Sequence, residues 1–519
     1  MPRERTTVYI NAHVHTFDAE ARVEQAFAVS GEEIIAVGPE RYVRNMAGDF
    51  PEVVDLEGAH VTPGLVDAHV HLIDYGLTLQ RMADLSGCRS LAELQQRLKD
   101  HMARLQQSGS PLEWVLGHGF DHELLETRSF PTRQDLDEVS RDRPVVIRRL
   151  CGHVAVGNTR ALELCRAELP EEARRTGLVT EDDVGLLMAG VPAATEAEID
   201  RAILQSGDLA ASLGITGVHC LITDVRQIDR LFALHSRRLL PIRFYVMFSY
   251  SLLEEMVDRG FQTGSGDAWV TIGAAKIFAD GALGARTAAL WEDYADDPGN
   301  RGMMLIEQAE LTDMIKHAQS HGFQTATHAI GDRGVDITVN AIESACAHQN
   351  NRLRHRIEHA SQMTQKALVK MAHYTIPAAV QPQFIITDFW TRQRVGPERY
   401  RWSYPFKTML RAGVPLAMSS DCYVERLDPY ELIHRAWVRD EHSRQEALTP
   451  FETMRAYTLG SAFAGHQEND RGSIEEGKLA DLVVYPENPF DLSQEDILQL
   501  RPEFTIVGGR RHQPSLPLL

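Results

Sequence analysis

The stretch "VTPGLVDAHVHL", Val61 to Leu72, decides how the rest of the chain is read. Pro63 and Gly64 open a tight entry, Leu65 and Val66 begin an apolar run, and His69 and His71 close it. Alternate residues of a strand face the same side. Both imidazoles therefore project together from the end of a buried strand, where they could hold a metal ion. The four residues "AHVH" also occur at 12–15. There His13 and His15 follow "VYIN" and precede "TFD", with no such run before them, and they read as ordinary strand histidines.

Downstream of this stretch, apolar runs alternate with helix-like segments. The strand candidates are "GLVDAHVHL", "PVVIRRLCGH", "GITGVHC", "PIRFYVMFS", "WVTIGAAKIFADG", "FQTATHAIGD", "HRIEHASQ", "TIPAAVQPQF" and "VPLAMSSDC". "LTDMIKHAQSHG" and "VDITVNAIESACAHQ" are helix candidates, the second with apolar residues at helical spacing. Such alternation implies a parallel sheet, either closed as a (β/α)8 barrel or doubly wound. Nine candidates for eight barrel places put at least one in an insertion, and the charge-rich residues 73–200 are the place for it. Both ends of the chain read differently, as short strands and turns: "TVYINAHVHTF" and "AFAVSGEEIIAVG" at the start, "GSIEEGKLADLVVY" and "PEFTIVGGRRH" at the end. The expected organisation is a β-sandwich part at 1–62, a barrel at 63–445 with an inserted subdomain at about 73–200, and the last barrel helix with the other sandwich part at 446–519.

With 519 residues, 43% hydrophobic and 24% charged, the composition is that of a globular protein. A net charge of −20 argues against a nucleic-acid partner, since no basic excess is available to neutralise phosphates. Six scattered cysteines without a CxxC pair fit a reducing cytoplasm. There is no apolar signal core and no run long enough to span a membrane. A small-molecule substrate is expected, and a homodimer is the base-rate oligomer.

In a barrel, chemistry sits where the strands stop, at their C-terminal ends. His69 and His71, Lys276 in "VTIGAAKIF", His328 in "FQTATHA", His359 in "HRIEHA" and Asp421 in "VPLAMSSD" all occupy such places. Each has a plainer reading. The histidines could be core residues, and Asp421 a helix N-cap, although Asp428 suits that role better. Lys276 could snorkel or pair with Asp280; alternatively, its neutral amine could capture carbon dioxide as a carbamate that bridges two ions.

These motifs, with "WVLGHGFDHELL", "CGHVAVGNTRAL", "AKIFADGALGARTAAL", "THAIGDRGVD" and "GSIEEGKLADLVVY", resemble the metal-dependent amidohydrolase superfamily. Within it they are similar to the amidohydrolase family 3 branch, which includes N-substituted formamide deformylase-like and exoenzyme regulator-like proteins. The resemblance runs from about residue 7 to about 511. It implies a distorted (β/α)8 barrel, a small β-sandwich from both termini and an insertion after the first barrel strand. It also implies metal ligands at His69, His71, Lys276, His328, His359 and Asp421.

The expected reaction is hydrolysis of an amide, formamide or cyclic amide C–N bond by a hydroxide shared between two zinc ions, bridged by carboxylated Lys276. Asp421 would act as general acid and base. His153 is the candidate to polarise the carbonyl, with a structural turn histidine as the other reading. Arg286 and Asp121 are candidate substrate contacts, each equally explained by a salt bridge, and His122 and His219 are weaker candidates. A mononuclear deaminase on the same barrel and a non-catalytic regulatory or metal-binding barrel are the alternatives.

Overall fold

The computed structural model describes residues 6–107, 112–149, 154–180, 182–347 and 349–513. Eight strands form one parallel sheet in chain order: β1 (Leu65–Val70), β2 (Ile215–Ile222), β3 (Arg243–Ser249), β4 (Val270–Phe278), β5 (Thr325–Ala329), β6 (Arg356–His359), β7 (Ala378–Val380) and β8 (Leu416–Met418). The sheet curls until its edges meet just beyond the strand ends. Asp421 N–H donates to His69 O at 2.9 Å, and His71 N–H donates to Cys422 O at 2.6 Å. The result is a nearly closed barrel, one of the two arrangements the alternating runs allow and the one the family resemblance implies. Its strands are buried on both faces, which explains why they read as continuous apolar segments.

Helices cover the outside. Asp332–Ala345 follows β5 and buries Val335, Val339 and Ile342. Gln365–His373 starts where Thr364 Oγ accepts from Ala367 N–H, an N-cap. Inside, Tyr245 lies over Gly273, where any Cβ would meet the ring at 2.1 Å.

Strands from the two termini share a core, with Val14, Phe27 and Ile34 packed with Ile474, Leu482 and Phe504. In the six-stranded sheet, Leu482–Tyr485 pairs antiparallel with His60–Pro63, which pairs in turn with His13–His15. At the start of β3, Arg243 is buried and bonded to Asp481 at 2.8 Å, tying this auxiliary domain to the barrel. Residues Asp74–Ala202 form a second compact unit with its own five-stranded sheet. "PVVIRRLCGH" supplies Val145–Arg149 to that sheet rather than a barrel strand. Among the described residues, no helix is long and apolar enough to cross a membrane.

Candidate metal centre

β1, β6 and the turn after β8 deliver His69, His359 and Asp421 to one place. One ligand atom from each lies within 4.8 Å of the others, and all three residues are buried. Two of them sit on left-handed backbone, His359 at φ 73° and Asp421 at φ 58°. That conformation costs about 1–3 kcal/mol for a residue with a side chain and recurs at functional sites.

Hydrogen bonding fixes how these groups face. Gln381 Nε2 donates to Ala379 O and Ser419 Oγ, so its Oε1 is left to accept from His359 Nδ1 at 2.8 Å. His359 Nε2 therefore keeps its lone pair. His69 Nε2 lies 3.1 Å from Lys276 Nζ and 3.6 Å from Asp421 Oδ1. Asp421 Oδ1 is buried without a well-formed hydrogen bond, and His71 Nε2 stands 3.3 Å from it. A buried carboxylate oxygen left open beside two buried imidazoles, with ligand atoms of all three within 4.8 Å, is what a divalent ion requires, so the residues present fit one.

The electrostatics agree with this geometry. Burial, joined by the charge of Lys276, lowers the pKa of His69 to about 4; burial likewise lowers His359 to about 3. Both imidazoles are thus neutral, as ligands must be. Burial lowers Lys276 to about 8 against the pull of Glu358 and Asp421. The Asp421 carboxyl is lowered: burial pushes it up, but the ionised carboxylate is favoured by any proton held on His69, His359 or His71 and by its contact with His71. In this cluster the proton therefore goes to an imidazole before it goes to Asp421.

The expected pair of zinc ions bridged by carboxylated Lys276 is corrected by this arrangement. Among the described residues there is one three-ligand site, His69, His359 and Asp421. The Lys276 amine stands at hydrogen-bond distance from His69 itself. His328 Nε2 is occupied by Gly281 O at 3.0 Å, although its ring packs edge-on to His359. His71 reaches Asp421 but lies outside the three-membered group. Six donors at strand ends do not determine where their side chains point, and that is where the count of two ions failed.

Other expected positions have identifiable partners. Arg286 is held by Asp296 at 2.8 Å, and Asp121 by Arg149 at 2.9 Å. His122 stacks on Phe130 within the second unit. His219 Nδ1 accepts from Arg356 Nη1 at 2.7 Å. His153 lies outside the described residues. Asp428 caps Pro429–Trp437 by accepting from Tyr430 and Glu431 N–H, which leaves Asp421 free of that duty. Asp280, an alternative partner for Lys276, instead accepts N–H bonds from Ala289, Ile330 and Gly331.

Two further residues were missed in the sequence. Gln381 is the polar residue closing "IPAAVQ", so the strand-end rule applied to it as well. Asp67 shares the face of His69 and His71 by strand alternation. Its carboxylate accepts from Ser420 N–H and Tyr457 Oη–H, both at 3.1 Å, holding the segment before Asp421 against β1.

The model of the amidohydrolase family matches residues 52–512. The chain belongs to the amidohydrolase family. It is 30% identical to an uncharacterized metal-dependent hydrolase from Pyrococcus furiosus, with 94% of this chain and 100% of that one covered and a TM-score of 0.83. YtcJ of Bacillus subtilis is 29% identical over 97% of this chain and 98% of its own. The N-substituted formamide deformylase of Arthrobacter pascens is 27% identical over 98% of both. Family membership and the buried His/His/Asp cluster together make this chain a metal-dependent hydrolase of C–N bonds.

Proposed function

We propose that this amidohydrolase cleaves an uncharged N-substituted amide or formamide, with one zinc ion held by His69, His359 and Asp421. The observation that carries the reading is the convergence of those three buried ligand atoms within 4.8 Å. Nitrogen and oxygen donors without a thiolate suit zinc. When bound, such an ion supplies Lewis acidity, polarising a carbonyl and making water a stronger acid. With one carboxylate oxygen of Asp421 given to the ion, its ionised carboxylate is the group that would take a proton from water and return it to the departing nitrogen. Lys276 Nζ and His71 Nε2 flank that carboxylate and its neighbour His69, and orient polar atoms between them.

The surroundings support an apolar substituent on the nitrogen. The rings of Phe278, Phe384 and Tyr423 stand 5.4, 6.2 and 5.8 Å from His328, His359 and His71. Apolar walls around a few convergent polar groups are typical of small-molecule sites. The formamide deformylase relative supports the formyl variant of the reading. The free thiols of Cys88, Cys165, Cys346 and Cys422 suit a cytoplasmic setting.

The test is a panel of N-alkyl and N-aryl formamides, acetamides and lactams, assayed with chelator-treated and zinc-reloaded chain. Amine release that disappears with chelation and returns with zinc is expected. Ammonia release from amino-heterocycles instead would establish the one-metal deaminase, and turnover indifferent to chelation would overturn the metal reading.

A further inference from the structure

Arg356 and Glu358 alternate on β6, so both point into the barrel, and both are fully buried. Every strong contact of Arg356 is internal. Its Nε donates to Glu358 Oε1 at 2.7 Å, Nη1 to His219 Nδ1 at 2.7 Å, and Nη2 to Ala68 O at 2.8 Å. The guanidinium thus spans from β6 to β2 and β1. The second oxygen of Glu358, Oε2, lies 2.6 Å from His69 Nδ1, approaching the ring obliquely. A buried ion pair is a poor source of stability, because desolvation offsets the attraction. Its placement matters for what it does to His69.

A carboxylate oxygen 2.6 Å from Nδ1 repels a lone pair there, and the Lys276 amine 3.1 Å from Nε2 favours a lone pair on that side, so the ring proton belongs on Nδ1. We propose that Glu358, held in place by Arg356, is a positioning residue that keeps His69 in its Nδ1–H form and presents Nε2 to the ion. This rests on the metal centre proposed above. His359 is fixed in the same form by neutral Gln381, whereas His69 has a charged acceptor, which makes its ring the stronger donor to a metal.

Removing Glu358 alone would strand the Arg356 charge, so the test uses paired variants that remove both charges. Arg356→Met with Glu358→Gln keeps an acceptor for Nδ1–H; Arg356→Met with Glu358→Met does not. Zinc affinity is read by chelator competition on the metal-free full chain, alongside the melting temperature. The variant pair carrying Glu358→Met is expected to bind zinc about 10–100-fold more weakly than wild type. The pair carrying Glu358→Gln should recover most of that loss at a similar melting temperature. Equal affinity in both pairs, whether unchanged or equally weakened, overturns the role of Glu358. Wild-type chain that binds no zinc would instead overturn the metal centre itself.

Discussion

The chain carries "AHVH" twice, and the two copies have different fates. In the first, His13 is exposed and His15 half-buried on a strand of the auxiliary sheet. His60 from the neighbouring strand lies against both, with ring centroids 4.6 Å from His13 and 5.3 Å from His15. His15 Nε2 and His60 Nδ1 are 3.0 Å apart and satisfy one another. In the second copy, His69 is buried at a barrel strand end and meets Glu358, Lys276 and Asp421, each from a different part of the barrel. Strand alternation places both pairs on one face. The first pair has the exposed Asp491 nearby, whereas distant strands bring the second against the buried carboxylates of Glu358 and Asp421, the setting a metal-ligating imidazole needs.

The widest separation between the copies is expected in ion content and rate. His69→Asn should lose bound zinc and lower turnover on the order of 10³-fold or more, because several kcal/mol of transition-state stabilisation go with the ion. His15→Asn should keep both. Metal analysis and amine-release kinetics on the two variants measure this directly, and zinc lost from the His15 variant would mean the copies had been assigned the wrong way round.

A smaller difference lies in the pH dependence of stability. Burial, then the nearby charges of His60 and His13, lower His15 to about 4, and burial lowers His60 as well. A histidine whose folded pKa is below its unfolded value of about 6.5 takes up its proton preferentially in the unfolded chain. The stability held above about pH 6.5 is therefore lost as the pH falls toward 4. His15→Asn should flatten part of that slope in thermal melts between pH 7 and pH 4.5. Identical slopes in variant and wild type would show that the stacked trio is not what titrates.

The barrel was legible because its strands are buried on both faces and end in polar side chains. His69, Lys276, His328, His359 and Asp421 all emerge where such runs stop. "PVVIRRLCGH" has the same look but belongs to another sheet, since an apolar run does not say which neighbours it will find. Side-chain direction was also out of reach. Nothing local in "EHA" or "SSD" announces a left-handed turn at His359 or Asp421, because neither residue type demands one. The partners of Arg286 and Asp121 are ordinary acids and bases 10 and 28 residues away, visible only once the loops are folded.

The most direct test is anomalous diffraction at the zinc edge from crystals of the zinc-loaded chain. The account predicts a single peak bounded by His69, His359 and Asp421, with nothing at His13, His15 and His60. Two peaks flanking Lys276, or one peak on the first histidine pair, would contradict it.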